Sequence, residues 1–389
     1  MKINLVIWLL FITVNVNCQI DQTMLIIGRN TGTHVFHDGE STRIFGFTST
    51  LSEATKIPGP TIICNSGDSV RLNFLNLSQG APHTIHLHGM DVDQQNDGVP
   101  EYSFEVMHDE MRPYFFKAPH PGTYLYHCHV GSAVHLQAGM YGLVIVRPIN
   151  GSVTQNWDNG ETYAREFSLL ASEVDTTWHN DTILDHEHGP GMMLMVPKIF
   201  KPQYFLINGM SGSQLSAPSG HFYALENEKI YLRLANIGYY GARFIFPAEL
   251  NARTVASDGR PLPAELISDT VEVLPGERFE TFVQLGSTEL TTFFVEYFNL
   301  NTGITEETQD LVFNLSSAGL QEMDDQSSLF PNPSDGVVFL GVDPVDFELN
   351  SQEGKLISKG TSSYVDIRNY PSGGYIIRVG EKTFRIIKN

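Results

Sequence analysis

Apolar residues come in short runs along this chain, broken by clusters of Gly, Pro, Asn and Asp, and no long stretch has a helical period. Runs rich in Val, Ile, Phe, Tyr and Thr with this spacing predict strands, and the fold class is all-β. TIIC, SVRLNFLNL, RPYFFKA, GTYLYHCHV and MYGLVIVRP suit one sandwich over residues 19–150. A second block, 151–316, offers YFLING, KIYLRLANIG, ARFIFP, DTVEVLP and RFETFVQLG. The polar stretch 317–328, SAGLQEMDDQSS, reads as a linker. A small β-domain over 329–389 completes the chain.

The formal charge of -20 repels phosphate backbones and anionic lipid surfaces, so neither nucleic acid nor membrane is an expected partner. Lys2 precedes an apolar run from Leu5 to Val14, which has the length of a signal-peptide core and is too short to span a bilayer. Cleavage before Gln19 would remove residues 1–18 and Cys18 with them; bulky, polar Asn17 weakens a lipoprotein reading of Cys18. No later segment is apolar enough to cross a membrane, which predicts export of a soluble protein. Export permits disulfides, and a bridge between Cys64 and Cys128 is the plain reading of the cysteines that remain. Against it, Cys64 sits in strand-like PTIIC as a small buried thiol, whereas Cys128 stands between histidines.

Those histidines fall in two stretches, PHTIHLHG and YHCHVGSAVHLQAGM. On strands, side chains alternate between faces, so His83 and Cys128 point one way and His86, His88, His127 and His129 the other. His135 and Met140, from the loop that follows, join the first group. Two imidazoles, a thiolate and a thioether are the donors of a blue-copper site. Zinc is the alternative, taking Cys128 with two or three histidines, although it leaves Met140 and the alternation unexplained. His186 and His188 lie in a polar loop and read as an exposed pair, with an accessory metal site as the sharper alternative. His179 and His221 are isolated and read as structural.

The pattern H-x-x-H-x-H-G at His83, His86, His88 and Gly89, with H-C-H at His127, Cys128 and His129, then His135 and Met140, resembles the multicopper oxidases. Pro58-Gly59-Pro60-Thr61, Gly67-Asp68, Asp97-Gly98 and Gly122-Thr123-Tyr124 extend the likeness. Asn208-Gly209, Arg233-Leu234, Asp258-Gly259 and Pro275-Gly276-Glu277-Arg278 are similar to the family's second sandwich. The resemblance implies two cupredoxin-like Greek-key sandwiches and copper as cofactor. It implies a type 1 centre on His83, Cys128, His135 and Met140, which accepts electrons at a solvent-facing edge of His135. From there electrons pass along Cys128 to His127 and His129, which with His88 hold a type 3 pair, while His86 holds the type 2 copper. The donor would be a small molecule or metal ion and the acceptor dioxygen, reduced to water.

This chain departs from the family in two ways. Cys128 and His135 are seven positions apart, more than in laccases, and the second block reads ANIGYYGARF and TTFFVEYFN where further ligands would sit. The four outward imidazoles are half of a full cluster, which leads to the expectation of a homo-oligomer that completes it across an interface. Two other functions compete. An electron-transfer or copper-binding protein would need only the type 1 centre. A copper nitrite reductase would have a ligand histidine before its cysteine but none after it, so His129 favours oxygen chemistry.

The last block resembles the sorting domain of the type IX secretion system, through Phe330-Pro331-Asn332-Pro333-Ser334-Asp335-Gly336, Ser372-Gly373-Gly374-Tyr375 and terminal Lys388-Asn389. The resemblance implies that the type IX machinery is a partner and that the protein is secreted or held at the cell surface, with the block removed or anchored.

Overall fold

Ser69–Asn76 is a strand because its apolar residues alternate: Val70, Leu72 and Phe74 are buried while Arg71 is exposed. Tyr141–Arg147 has no such alternation because it is covered on both sides. Val144 and Val146 enter the first sandwich's core, and Tyr141 and Leu143 join a second cluster with Leu170, Val174 and Leu206. That second cluster joins the two sandwiches.

A computed structural model of the chain describes residues 20–185, 196–315, 337–340, 345–351, 355–362, 364–367, 370–371, 373–379 and 382–388. The expected signal peptide, the His186–His188 pair, the 317–328 linker and the Pro331–Gly336 motif lie outside these. Among the described residues the architecture is all-β with a few short helices, as expected. No helix there is long and apolar enough to cross a membrane.

The first sandwich pairs two four-stranded sheets. One has the order Gly46–Thr48, Gln22–Arg29, Ser69–Asn76, Met111–Lys117; the other Ile62–Asn65, Tyr141–Arg147, Gly122–His127, His86–His88. Gln22–Arg29 runs parallel to Ser69–Asn76, and Ile62–Asn65 parallel to Tyr141–Arg147, among otherwise antiparallel pairs. The second sandwich contains the sheet Tyr204–Ile207, Arg165–Val174, Lys229–Asn236, Arg278–Gln284, Arg253–Ser257, Arg260–Ile267. Facing it are Thr305–Asn314, Leu290–Phe298, Gly241–Ile245 and Thr270–Val273.

All but a few residues of the two sandwiches belong to one compact unit, and residues 223–225 with the described residues from Phe313 onward form another. The C-terminal strands make a four-stranded and a two-stranded sheet around Val338, Leu349, Val365, Ile377 and Ile386.

A buried ionic group lies between the sandwiches. Arg233 is fully buried and donates to Thr123 Oγ1 (3.1 Å) and Glu166 Oε2 (3.1 Å), with Glu280 at 3.9 Å. Arg147 also pairs with Glu166. Burial raises the Glu166 carboxyl, but Arg233 and Arg147 outweigh it and hold the group at about 2.

Candidate metal centre

The strand Gly122–His127 ends just before Cys128, and the ladder continues through one further bond, Cys128 N–H to Met140 O at 3.0 Å. Cys128 shares the core cluster of Tyr124 and Tyr126, while Leu125 belongs to the cluster between the sandwiches. Period two therefore separates Cys128 from His127.

On the inner side, Cys128 Sγ lies 3.3 Å from His135 Nδ1 and 3.6 Å from His83 Nδ1, and the two Nδ1 atoms are 3.2 Å apart. Ligands bonded at about 2.0–2.3 Å around one ion stand roughly 3.3–4 Å from each other, so these spacings fit a metal. All three residues, and Met140 beside them in the cluster, are fully buried. Burial pushes the Cys128 thiol up to about 11, so it is a thiol until a cation displaces its proton. Cys64 and Cys128 are both free, and burial pushes the Cys64 thiol up to about 12.

His135 is not in a loop. It sits in the helix Ser132–Gln137, which begins at Gly131 (φ 51°) and stops at Gly139 (φ 114°). SAVHLQ is too short to show a period, so only these glycines mark the helix. Nor does His135 have the expected solvent-facing edge. The Phe45 ring lies 5.7 Å away at a tilt, and Trp178, Ile183 and Leu184 pack into the same cluster.

On the outer side, His86 pairs across the sheet with His127. The donor atoms of His86, His88 and His127 lie within 4.8 Å of one another. His129 lies beside this group, its ring 5.3 Å from that of His86 and 6.0 Å from that of His127. His86 Nδ1 donates to the Asp97 carbonyl (2.8 Å) and His127 Nδ1 to that of Cys128 (3.0 Å), which turns each Nε2 toward the group, that of His127 lying 3.4 Å from His88 Nδ1. Gly98 permits the first bond: it adopts φ 77°, and a Cβ there would overlap the Ile85 carbonyl. Burial, with neighbouring imidazoles, lowers His127 to about 3; burial, then Arg278, lowers His88 to about 4. Both rings are neutral at neutral pH, the form that binds metal.

Sequence reasoning left the outward face without a partner in this chain, but the second sandwich supplies one. Arg278, from Pro275-Gly276-Glu277-Arg278, lies against Gly89 and His88 and is itself held by Asp258 at 2.9 Å. The motif was visible as a family likeness; its contact joins residues far apart in sequence and was not. His179 is buried, with Nδ1 bonded to the Arg43 carbonyl (2.6 Å), and His221 bonds the Ser216 carbonyl (3.0 Å).

Residues 28–151 match the sequence family described as multicopper oxidase. L-ascorbate oxidase of Cucurbita pepo var. melopepo is 26% identical over 255 residues, covering 59% of this chain and 43% of that protein. The chain spans less than half the length of the curated relatives it matches. Among solved structures, the blue copper oxidase from Nitrosomonas europaea aligns with TM-score 0.59 and 24% identity, over 75% of this chain and 85% of that one. Copper nitrite reductase from Nitrosomonas europaea aligns with TM-score 0.57 and 18% identity, over 77% and 95%. At these identities the structural likenesses establish the fold alone, cupredoxin-like as expected. The donor sets on both sides fit copper, and the matched segment contains all of them. Residues 28–151 therefore resemble a multicopper oxidase domain, in sequence and in the donors they bring together.

Proposed function

We propose that this chain is an exported copper-dependent oxidoreductase that takes single electrons from a small-molecule or metal-ion donor and passes them to dioxygen, forming water. The observation that supports it is the tripeptide His127-Cys128-His129, which joins a buried thiol–imidazole group to an imidazole group through adjacent covalent bonds. Copper bound at the two groups would supply one-electron redox chemistry and the reduction of dioxygen. His83, Cys128, His135 and Met140 would hold the inner ion, and burial keeps water from them. His86, His88, His127 and His129 would hold the outer ions, oriented by the Asp97 and Cys128 carbonyls. Arg278 places a fixed positive charge beside His88, where negative charge develops during oxygen reduction.

A second copy of the chain completes the outer group across an interface. The amino-terminal apolar run and the carboxy-terminal block direct export through the type IX machinery to the cell surface or medium. Absence of histidine from ANIGYYGARF favours one competing reading, an electron-transfer protein that uses the inner group alone.

Copper content with optical and paramagnetic spectra, native mass, and parallel dioxygen and nitrite consumption test the reading together. Expected are several coppers per chain, an oligomer and oxygen uptake. Cys128→Ser should abolish the strong thiolate–copper visible band, and His88→Ala should keep that band but lose oxygen uptake. A monomer with one copper and no oxygen uptake would reject the oxidase; nitrite consumption in its place would identify a reductase.

A further inference from the structure

The resemblance implies that a donor meets the inner group at the edge of His135, yet that ring is fully buried. Its cover has a definite construction. Phe45 lies against both ligand imidazoles, 5.7 Å from His135 and 6.2 Å from His83, ring to ring. The Arg43 guanidinium carbon sits 5.4 Å from the centre of the Phe45 ring. Over these closes residues 176–185, a segment that leaves the second sandwich after Arg165–Val174 and sends Trp178, Ile183 and Leu184 into the cluster of Cys128, Val134 and Met140.

Arg43 is the clasp of this cover. Its Nη1 bonds Asp181 Oδ1 at 2.8 Å, its Nη2 bonds Asp185 Oδ1 at 2.7 Å, and its carbonyl accepts from His179 Nδ1 at 2.6 Å. One residue thus holds both ends of the short helix Asp181–Leu184 and the turn before it. Hydrophobic packing alone explains the burial of Ile183 and Leu184, but it does not require two carboxylates on one guanidinium directly above Phe45. The carboxylates are largely exposed, so the pairs are weak and salt-screened, which suits a closure that has to open.

We propose that Arg43 and residues 176–185 form a hinged cover over His135 that selects electron donors by size: small donors come close enough against the latched cover for an electron to cross it, and bulky ones do so only when Arg43 lets go. The inference rests on the reading of the inner group as an electron-accepting copper centre. No residue of the cover is a metal ligand; Arg43 acts by position.

Two measurements on the full-length chain test it, and neither depends on oxygen uptake. In the metal-free protein, amide exchange over 176–185 should accelerate about tenfold in Arg43→Ala and in Asp181→Asn/Asp185→Asn, with Gly122–His127 unchanged. Arg43→Lys should fall between these variants and the native chain. In the copper-loaded protein, bleaching of the visible band by a small hydroquinone is compared with bleaching by the same ring carrying tert-butyl groups. The bulky-to-small rate ratio should rise about tenfold in Arg43→Ala, and should rise in the native chain on adding salt. Unchanged exchange overturns the latch, and faster exchange with an unchanged ratio overturns its role in selection. A raised ratio in a protein that consumes no oxygen would uphold the cover while rejecting the oxidase.

Discussion

The two sandwiches repeat one construction and then use it differently. Asn76 ends the strand Ser69–Asn76, and Asn236 ends Lys229–Asn236. Asn76 Nδ2 donates to the carbonyls of Val106 (2.8 Å) and Ala81 (3.2 Å), and its Oδ1 accepts from Ser78 N–H (2.8 Å). Asn236 does the same with Val273 (2.9 Å), Tyr240 (2.7 Å) and Gly238 (2.9 Å). Beyond this shared turn the cross-strand pairs diverge. The first sandwich sets His86 opposite His127, while the second sets Arg243 opposite Glu296 and Phe244 opposite Val295. A common turn and sheet carry metal chemistry in one copy and an ion pair with ordinary packing in the other. Function rests on a few side chains placed on a shared frame.

With no metal-ligand group among its described residues, the second sandwich acts on the first by holding it, and Arg233 is the strongest test of that role. Arg233→Ala leaves Glu280 buried without its cation and Glu166 with Arg147 alone, and should destabilise the chain by about 3–5 kcal/mol in urea unfolding. A loss below about 1 kcal/mol would mean that the sandwiches do not depend on this group.

Glu173 tests the same relation through pH. Burial raises its carboxyl to about 7, although the amides of Tyr239 and Tyr240 oppose the shift. The native chain keeps this proton at pH values where the unfolded chain has lost it. The contribution is therefore fully present below the unfolded value of about 4.3, declines as pH rises and is gone above about 7, on the order of 3 kcal/mol in all. Glu173→Gln should flatten unfolding free energy between about pH 5 and pH 8. Tyr239 bonds the Ala133 carbonyl (2.6 Å), on the helix of His135, so a slope that persists would separate this contact from the carboxyl.

The smallest effect is the most discriminating. Asn76→Ala and Asn236→Ala should each cost about 1–3 kcal/mol, since each leaves matching turn groups unbonded. Only Asn76→Ala should also weaken copper uptake, followed by the visible band, because its turn leads to His83. Equal effects on copper would show that the two turns are coupled.

Legibility in the sequence followed the range of each interaction. SVRLNFLN and GTYLYHCHV declare strands through local alternation, and the same alternation sorts His83 and Cys128 from His86, His88 and His127. The helix of His135 was hidden because six residues cannot display a period and glycine positions alone bound it. Its burial was hidden because Phe45, Arg43 and Trp178 come from distant segments. Arg278 was visible as part of a motif, but its place beside His88 depends on the packing of the two sandwiches. Cys64 was legible as a buried thiol from its apolar strand alone.

The bond from Cys128 N–H to the Met140 carbonyl gives the region between them a modular character. It fastens both ends of the excursion that carries His135, so the sheet ends at the same place whatever length lies between. Doubling such a loop adds only about 0.6 kcal/mol of closure entropy. Loop length is thus a freely variable dimension of this domain, and one in which the ligand geometry can change from one descendant to the next while the strands that hold Cys128 stay as they are.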